Sequence, residues 1–197
     1  MNVNFPASQT RLNLLRAFAG ESQAVSRYTF AAAKARQLKL NLLERAFTFT
    51  AAQEKEHAEI YWNLLNGQQG ENIDINMTCP INNAQDALGI LKEARHNEFE
   101  ESNVVYPAFA SVANEEGFAQ IASKFTQIAQ IERTHGERFD RFVSLMEASS
   151  LFAADGETAW MCLNCGHIHT AAEAPGVCPV CSHDRGYFIR ADLAPFR

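Results

Sequence analysis

A glutamate and a histidine three residues apart, Glu132 and His135, interrupt an otherwise apolar helical stripe. Counted in steps of three and four residues, that stripe consists of Phe118, Ile121, Phe125, Ile128, Glu132, His135, Phe139, Phe142 and Met146. A carboxylate is costly to bury unless a cation or a metal compensates its charge. The pair therefore indicates a buried metal site, although a lone Glu-x-x-His motif is also common on a solvated helix face.

Three further apolar stripes carry acids at matching mid-helix positions, and one of them repeats the Glu-x-x-His spacing. Together the four stripes contribute Glu21, Glu54, His57, Glu98, Glu101, Glu132 and His135. A carboxylate-bridged two-metal centre in a four-helix bundle needs a glutamate from each of two helices and Glu-x-x-His from each of the other two. The sequence supplies that set and one additional acid. Carboxylates with one imidazole per ion are typical of iron or manganese rather than structural zinc.

Four long helices are required to bring these acids together, and the sequence predicts them. The first runs from about residue 10 to 38, the second follows a turn near 39–41 and ends at Gly67, the third runs from about Ala84 to Gly117, and the fourth covers 118–146. The polar connection 68–83 is long enough to cross the length of a bundle. Pro107, inside the third helix, predicts a kink or bulge just past its acids.

Four of the five cysteines lie in the last forty residues, in two Cys-x-x-Cys pairs: Cys162, Cys165, Cys178 and Cys181. Four thiolates on two tight turns form a tetrahedral site for zinc or for a single iron, and the spacing alone favours zinc. We therefore predict a bundle over 1–148, a linker over 149–157 and a metal module over 158–197. Cys79 belongs to no metal motif and is interpreted as a loop residue.

Composition and charge restrict the class of protein. The chain has 197 residues, 47% of them hydrophobic, and a net charge of −6 without a basic run, which argues against nucleic acid or an anionic membrane as a partner. Neither a signal peptide nor a membrane span is recognisable. We expect a cytoplasmic protein, in which clustered cysteines bind metal rather than form disulfides.

The order of these motifs along the chain resembles the rubrerythrin family. The resemblance rests on Phe18-Ala19-Gly20-Glu21-Ser22-Gln23-Ala24, Glu54-Lys55-Glu56-His57-Ala58, Glu98-x-x-Glu101 followed by Tyr106-Pro107, Glu132-x-x-His135 and the two cysteine pairs. It covers nearly the whole chain. It implies a mainly α fold: a ferritin-like four-helix bundle followed by a small rubredoxin-like β/knuckle metal domain. It also implies iron, rather than zinc, at the four cysteines.

The same resemblance implies roles for individual residues. The five glutamates would ligate a di-iron pair, with Glu54 and Glu132 as bridges, and His135 would hold one iron. The other iron would move between His57 and Glu101 as the redox state changes. Two tyrosines are expected to hydrogen-bond the ligands, namely Tyr28 and Tyr106.

The activity implied by the resemblance is reduction of hydrogen peroxide to water at the di-iron site. Electrons would pass through the thiolate-bound iron from rubredoxin or an NAD(P)H-dependent reductase, within a head-to-tail homodimer. Two alternatives stay open at this point. One is an iron-oxidising storage protein, which uses the same bundle, and the other is a zinc-ribbon scaffold, which leaves the buried acids unexplained.

Overall fold

The computed structural model describes residues 3–65, 70 and 72–194, and within them the chain is mainly helical. The helices are α1 (Gln9–Gln37), α2 (Asn41–Leu64), α3 (Ala87–Glu100), α4 (Tyr106–Glu115) and α5 (Ala119–Glu147). Because α3 and α4 continue one another, the helices form a bundle of four rods, as predicted. The predicted stop at Gly67 lies outside the described residues. No helix in the described ranges is both long and apolar enough to cross a membrane.

Local signals explain where several of these helices begin and end. The Ser8 side chain accepts a hydrogen bond from the Arg11 backbone N–H and so caps the start of α1, and Asp86 caps α3 in the same way through Gly89. Gly117, with a φ of 91°, ends α4 in the left-handed conformation that glycine tolerates best. The predicted stop at Gly117 is therefore confirmed.

The interruption between α3 and α4 is a π-helical turn over Glu101–Val105. Pro107 lies in the first turn of α4, directly after it. Because proline has no backbone N–H, the regular hydrogen-bond ladder cannot continue through this point, and the chain widens by a residue instead. The predicted bulge is confirmed, but it begins at Glu101 itself rather than past the acids.

The connection between α2 and α3 runs along the length of the bundle. Arg16 Nε, near the start of α1, donates a hydrogen bond to Asn76 O over 2.8 Å. Lys34 Nζ, near the end of α1, donates one to Gln85 Oε1 over 3.1 Å. These two α1 residues lie roughly 27 Å apart at the α-helical rise. The predicted crossing is therefore confirmed, and α2 and α3 point the same way.

Two apolar clusters occupy the two halves of the bundle. One is built around Leu43, Phe47 and Phe139, at the end where α1 turns into α2. The other surrounds Leu14 and Phe125, at the opposite end. The mid-helix acids lie between these clusters, so each acid is enclosed by packed apolar residues from both directions along the bundle.

The C-terminal module contains a three-stranded antiparallel sheet in the order β2-β1-β3, made of β1 (Ala153–Cys162), β2 (Ile168–Glu173) and β3 (Phe188–Arg190). Its own core includes Trp160 and Phe188, both fully buried. Ile189 on its other side joins the bundle cluster that contains Leu43. The strand β1 begins inside the segment predicted as a linker, and the module is packed on the α1–α2 end of its own bundle.

Gly186 makes that packing possible and provides a test of it. A Cβ atom added to Gly186 would lie 1.9 Å from Lys39 O, in the α1–α2 turn, where Lys39 has a φ of 58°. Backbone this close cannot yield without a shift of the whole module. We expect Gly186→Ala to lower the free energy of unfolding by about 1–3 kcal/mol and to increase proteolytic cleavage near the start of β1. Gly176→Ala is the matched control, since a Cβ there meets nothing within 4 Å; equal effects of the two changes would contradict the packing argument.

Candidate functional site

The structure brings six of the seven bundle residues singled out above into one buried cluster. Their possible ligand atoms form two groups of four, and the atoms of each group all lie within 4.8 Å of one another. The first group is Glu21, Glu54, His57 and Glu132, and the second is Glu54, Glu98, Glu132 and His135. Glu54 and Glu132 belong to both groups. Two overlapping groups that share two carboxylates have the arrangement of a carboxylate-bridged two-metal centre.

The helices position these groups through simple helical spacing. Residues three apart lie on the same face of an α-helix, so each Glu-x-x-His pair of α2 and α5 points into the bundle from one turn. Single glutamates from α1 and α3 complete the two groups. The residues of this cluster are at most 4% exposed, and three of them, Glu21, Glu132 and His135, are 0% exposed. The cluster is thus shielded from water.

Several close contacts in the cluster lack the geometry of hydrogen bonds. His135 Nδ1 lies 2.8 Å from Glu54 Oε1 and 2.9 Å from Glu132 Oε2. Yet both ring nitrogens of His135 and both carboxylate oxygens of Glu132 have no hydrogen-bond partner among the described residues. Buried polar atoms that converge without pairing are costly. Two cations bound between them would compensate this cost, so the donor set fits a two-metal centre of the iron or manganese type.

The charges in the cluster perturb one another strongly. Burial and the charges of neighbouring glutamates raise the pKa of Glu21 and of Glu98 well above the ordinary value. Burial also opposes ionisation of Glu132, but the close imidazoles of His135 and His57 outweigh it and lower the Glu132 pKa to about 2. Burial likewise disfavours the charged form of His57, but Glu132 and Glu54 raise its pKa to about 9. When metal is absent, bound protons therefore compensate the charge that metal ions would otherwise compensate.

Glu101 is the one predicted ligand that neither group contains. It stands in the π-helical turn, is half-buried, and lines a groove on the bundle surface. Burial and the charges of Glu132 and Glu54 raise its pKa to about 8, so its carboxyl group remains close to the cluster. In this structure His57, and not Glu101, occupies the position next to Glu21.

The two predicted tyrosines contact the carboxylates from opposite sides. Tyr28 donates its hydroxyl to Glu98 Oε1, and Tyr106 donates its hydroxyl to Glu21 Oε1. Sequence reasoning had not singled out Tyr61, which is fully buried with its ring centroid 5.6 Å from that of Tyr106. Its position one helical turn after His57, on the same stripe of α2, is the signal that could have identified it.

A half-buried cation beside the cluster was also missed. Arg138, one turn after His135, donates a hydrogen bond from Nη1 to Thr50 Oγ1 over 2.7 Å and lies 5.1 Å from the ring centroid of Phe49. Burial lowers the pKa of Arg138, while the charges of Glu98 and Glu54 oppose that change. The guanidinium therefore offsets part of the negative charge of the cluster. The spacing from His135 was visible in the sequence, but nothing there distinguished Arg138 from a solvated arginine.

The four cysteines of the C-terminal module converge as predicted, with all four sulfur atoms within 4.8 Å of one another. Cys162 Sγ lies 3.7 Å from Cys181 Sγ, and Cys165 Sγ lies 3.7 Å from Cys178 Sγ. A disulfide requires about 2.05 Å, so these are free thiols. Sulfur atoms about 2.3 Å from a central ion in tetrahedral geometry lie at a similar separation from one another. The site fits one tetrahedral metal ion. Cys79 is exposed and distant from it in sequence, in the crossing segment.

These observations define a class: a ferritin-like bundle that encloses a two-metal carboxylate site and carries a separate four-thiolate metal module. The family model described as rubrerythrin matches residues 13–143, and the model of the rubredoxin-like domain of rubrerythrin matches residues 160–189. The chain belongs to the rubrerythrin family. It therefore has a di-iron site with carboxylate and histidine ligands and a rubredoxin-like site at its four cysteines, and its family is one of oxidoreductases.

Individual relatives agree with this assignment. The chain is 41% identical to rubrerythrin of Porphyromonas gingivalis, over 95% of this chain and 92% of that protein. It is 40% identical to rubrerythrin of Clostridium perfringens, over 92% and 93% respectively. Among solved structures, fully reduced nigerythrin matches with a TM-score of 0.62 and 28% identity, over 95% of this chain and 93% of that one. Bacterioferritin of Desulfovibrio desulfuricans, at a TM-score of 0.64 but 19% identity, over 75% and 86%, supports the fold alone.

The perturbed pKa values predict how the metal-free protein responds to pH. The folded-state pKa of Glu101 is raised to about 8. Such a carboxyl group destabilises the fold once the pH rises above the pKa that the group has in the unfolded chain. An imidazole whose pKa is raised, such as His57 at about 9, loses its stabilising contribution over the upper part of the same range. Both effects have the same sign. We therefore expect the melting temperature of the metal-free protein to decrease as the pH is raised from about 5 to about 9.

The iron-loaded protein is the control, since iron replaces these protons and binds more tightly as ligands deprotonate. Its melting temperature is expected to hold or rise over the same pH range. Thermal unfolding followed by circular dichroism measures both forms. A metal-free protein that became more stable towards pH 9 would contradict the inferred coupling between the acids and the histidines.

Proposed function

We propose that this protein is a hydrogen peroxide reductase that acts in oxidative-stress defence. The observation that carries the proposal is the pair of buried ligand groups sharing Glu54 and Glu132, in a chain that also has a four-thiolate site suited to single-electron transfer. Two-electron reduction of peroxide needs a site that delivers two electrons together and a route that replaces them one at a time. This combination supports a reductase over an iron store or a scaffold.

We assign the ligands as follows. Glu54 and Glu132, which belong to both groups, would hold both iron ions, and His135 and Glu98 would complete the second group. On the other side, Glu21 is joined by either His57 or Glu101, which exchange with the redox state of the site. The half-buried position of Glu101 in the wider π-helical turn supports this exchange, because the turn leaves its side chain less tightly packed than the others.

When bound, the iron pair would supply one electron from each ion, and these two electrons together with two protons would convert one peroxide into two waters. The protein's own groups supply orientation and enclosure. Tyr106 holds Glu21 and Tyr28 holds Glu98 through their hydroxyl groups, which fixes the orientation of both carboxylates. The apolar clusters at both ends exclude water from the cluster. Arg138 offsets negative charge beside it.

We further propose that electrons reach the site through the four-cysteine iron, from rubredoxin or an NAD(P)H-dependent reductase, and across a head-to-tail homodimer. Helix length supports the dimer. The module packs at the α1–α2 turn, and Glu54 lies thirteen residues into α2 from Asn41, about 20 Å along the helix axis. A second subunit in head-to-tail orientation would bring its module closer to this site.

The same proposal includes the domain division and the compartment. Residues 1–148 form the di-iron bundle, 149–157 connect it, and 158–197 form the rubredoxin-like domain. Five free cysteines support a reducing, cytoplasmic environment.

The central test is an anaerobic titration of the reduced protein with hydrogen peroxide. We expect the visible absorption of the oxidised thiolate–iron centre to return in proportion to the peroxide added, at one peroxide for every two electrons. Stopped-flow absorption spectroscopy measures both the rate and the stoichiometry. Absence of that colour, or a colour that peroxide leaves unchanged, contradicts the proposal, and native assembly as a large shell would favour iron storage instead.

The ligand assignment predicts a large difference between two neighbouring glutamates of α2. Glu54→Gln is expected to lower peroxide turnover at least about hundredfold, because it weakens both metal positions at once. Glu56→Gln is the matched control, since Glu56 is exposed on the same helix and is expected to retain turnover. Iron content measured on both proteins separates loss of metal from loss of chemistry, and equal turnover in the two variants would contradict the assignment.

The head-to-tail dimer can be tested by complementation. One variant, Glu54→Gln, lacks a working di-iron site, and another, Cys178→Ser together with Cys181→Ser, lacks the thiolate–iron site. If electrons cross between subunits, refolding the two inactive variants together restores turnover in the mixed dimer, up to about half of the wild-type value per dimer. Transfer within one chain predicts no recovery at any mixing ratio.

A further inference from the structure

A large groove lies beside the metal cluster, between α1, the crossing segment and the π-helical turn. Its volume is about 980 Å³. Glu101 and Tyr106 form part of its wall, and Tyr106 donates a hydrogen bond to Glu21. Through Tyr106 the wall of the groove therefore contacts the Glu21 side of the cluster, on which His57 and Glu101 were proposed to exchange. Hydrogen peroxide is hardly larger than water, which occupies about 30 Å³ in the liquid, so it does not account for a groove of this size.

Gly20 keeps one wall of the groove open. It lies in the interior of α1, where glycine is less favourable than any residue except proline. A Cβ atom added there meets nothing within 4 Å, so close packing does not require a glycine at this position. Its φ is not in the left-handed region either. The missing side chain instead leaves space in the groove next to Glu21.

The remaining lining combines apolar side chains with polar and charged ones, so it can contact a molecule that has both an apolar body and a polar group. Met77, Val104 and Phe109 contribute apolar surface. Arg27 also lines the groove, and its Nε and Nη2 atoms are buried without a hydrogen-bond partner among the described residues. Arg27 and Glu101 line the same groove, and the charge of Arg27 opposes the rise of the Glu101 pKa. Two unpaired donors at that place can bind the oxygen atoms of a ligand.

We propose that this groove admits alkyl and aralkyl hydroperoxides, and that the protein reduces them as well as hydrogen peroxide. The inference rests on the proposed function, since it uses the same electrons. In the reaction the O–O bond of ROOH breaks, the two oxygens together accept two electrons and two protons, and the products are ROH and water. The electrons come from the reduced di-iron site and are replaced by the NAD(P)H-linked donor.

The test compares hydrogen peroxide, tert-butyl hydroperoxide and cumene hydroperoxide as substrates of the iron-loaded protein. Wild type is expected to reduce all three. Gly20→Leu fills the groove from α1, and Val104→Phe fills it from the opposite wall, where Val104 is 52% exposed and a larger side chain is tolerated. Each change is expected to lower kcat/KM for cumene hydroperoxide at least about tenfold more than for hydrogen peroxide. Ser26→Leu, on the exposed face of α1 outside the groove, is the control and leaves both values unchanged.

A binding measurement complements the kinetics. We expect calorimetry to detect binding of 2-phenyl-2-propanol, the alcohol product of cumene hydroperoxide, to wild type and to Ser26→Leu but not to Gly20→Leu or Val104→Phe. A wild-type protein that reduces hydrogen peroxide but neither organic hydroperoxide overturns this inference and leaves the proposed function intact. Equal losses for all three substrates in the filled variants also overturn it. If no peroxide is reduced, the proposed function fails, and binding of the alcohol alone then decides whether the groove takes this class of molecule.

Discussion

The rest of the structure depends on the concentration of carboxylates in the middle of the bundle. Four glutamates and two histidines are almost completely buried between two apolar clusters, in two overlapping groups whose ligand atoms lie within 4.8 Å of one another inside each group. Ionised carboxylates repel one another and are costly to remove from water, so this arrangement is unfavourable by itself. Only cations, whether metal ions or protons, make it compatible with a folded bundle. The helices, the tyrosine contacts and the apolar ends all serve to hold this unfavourable set in place until cations compensate it.

The bundle places most of these buried groups by regular α-helical geometry. The helix is irregular at one place, the π-helical turn. Glu54 with His57 and Glu132 with His135 reach the centre because residues three apart share a helix face. Glu101 follows a different rule, since the π-helical turn that contains it widens the helix next to Pro107. The irregular turn therefore coincides with the one predicted ligand that stands outside the cluster, and with the groove that reaches it. The residues of the cluster thus lie on regular α-helix, whereas Glu101 lies on irregular backbone.

The C-terminal module adds a second constraint, because its place on the bundle is set by backbone contact rather than by its own fold. Gly186 allows the module to approach the carbonyl group of Lys39, while Ile189 extends the bundle cluster into the module. The module is therefore fixed at one end of the bundle and is not a freely tethered domain. Its distance along α2 from the buried acids is the reason why electron transfer between subunits is proposed above.

The sequence by itself determined the class of fold, the ligand types and the four-thiolate site. Those features follow from local spacing: apolar stripes of period near 3.6, acids and histidines within the stripes, and paired cysteines on tight turns. The tertiary structure alone decided which of His57 and Glu101 stands in the cluster, because that depends on how the π-helical turn orients Glu101. It also revealed the half-buried position of Arg138, the buried position of Tyr61, the open space at Gly20 and the place where the module packs on the bundle. These features depend on which surfaces meet across the bundle. The spacing of residues within a single helix does not determine which surfaces meet.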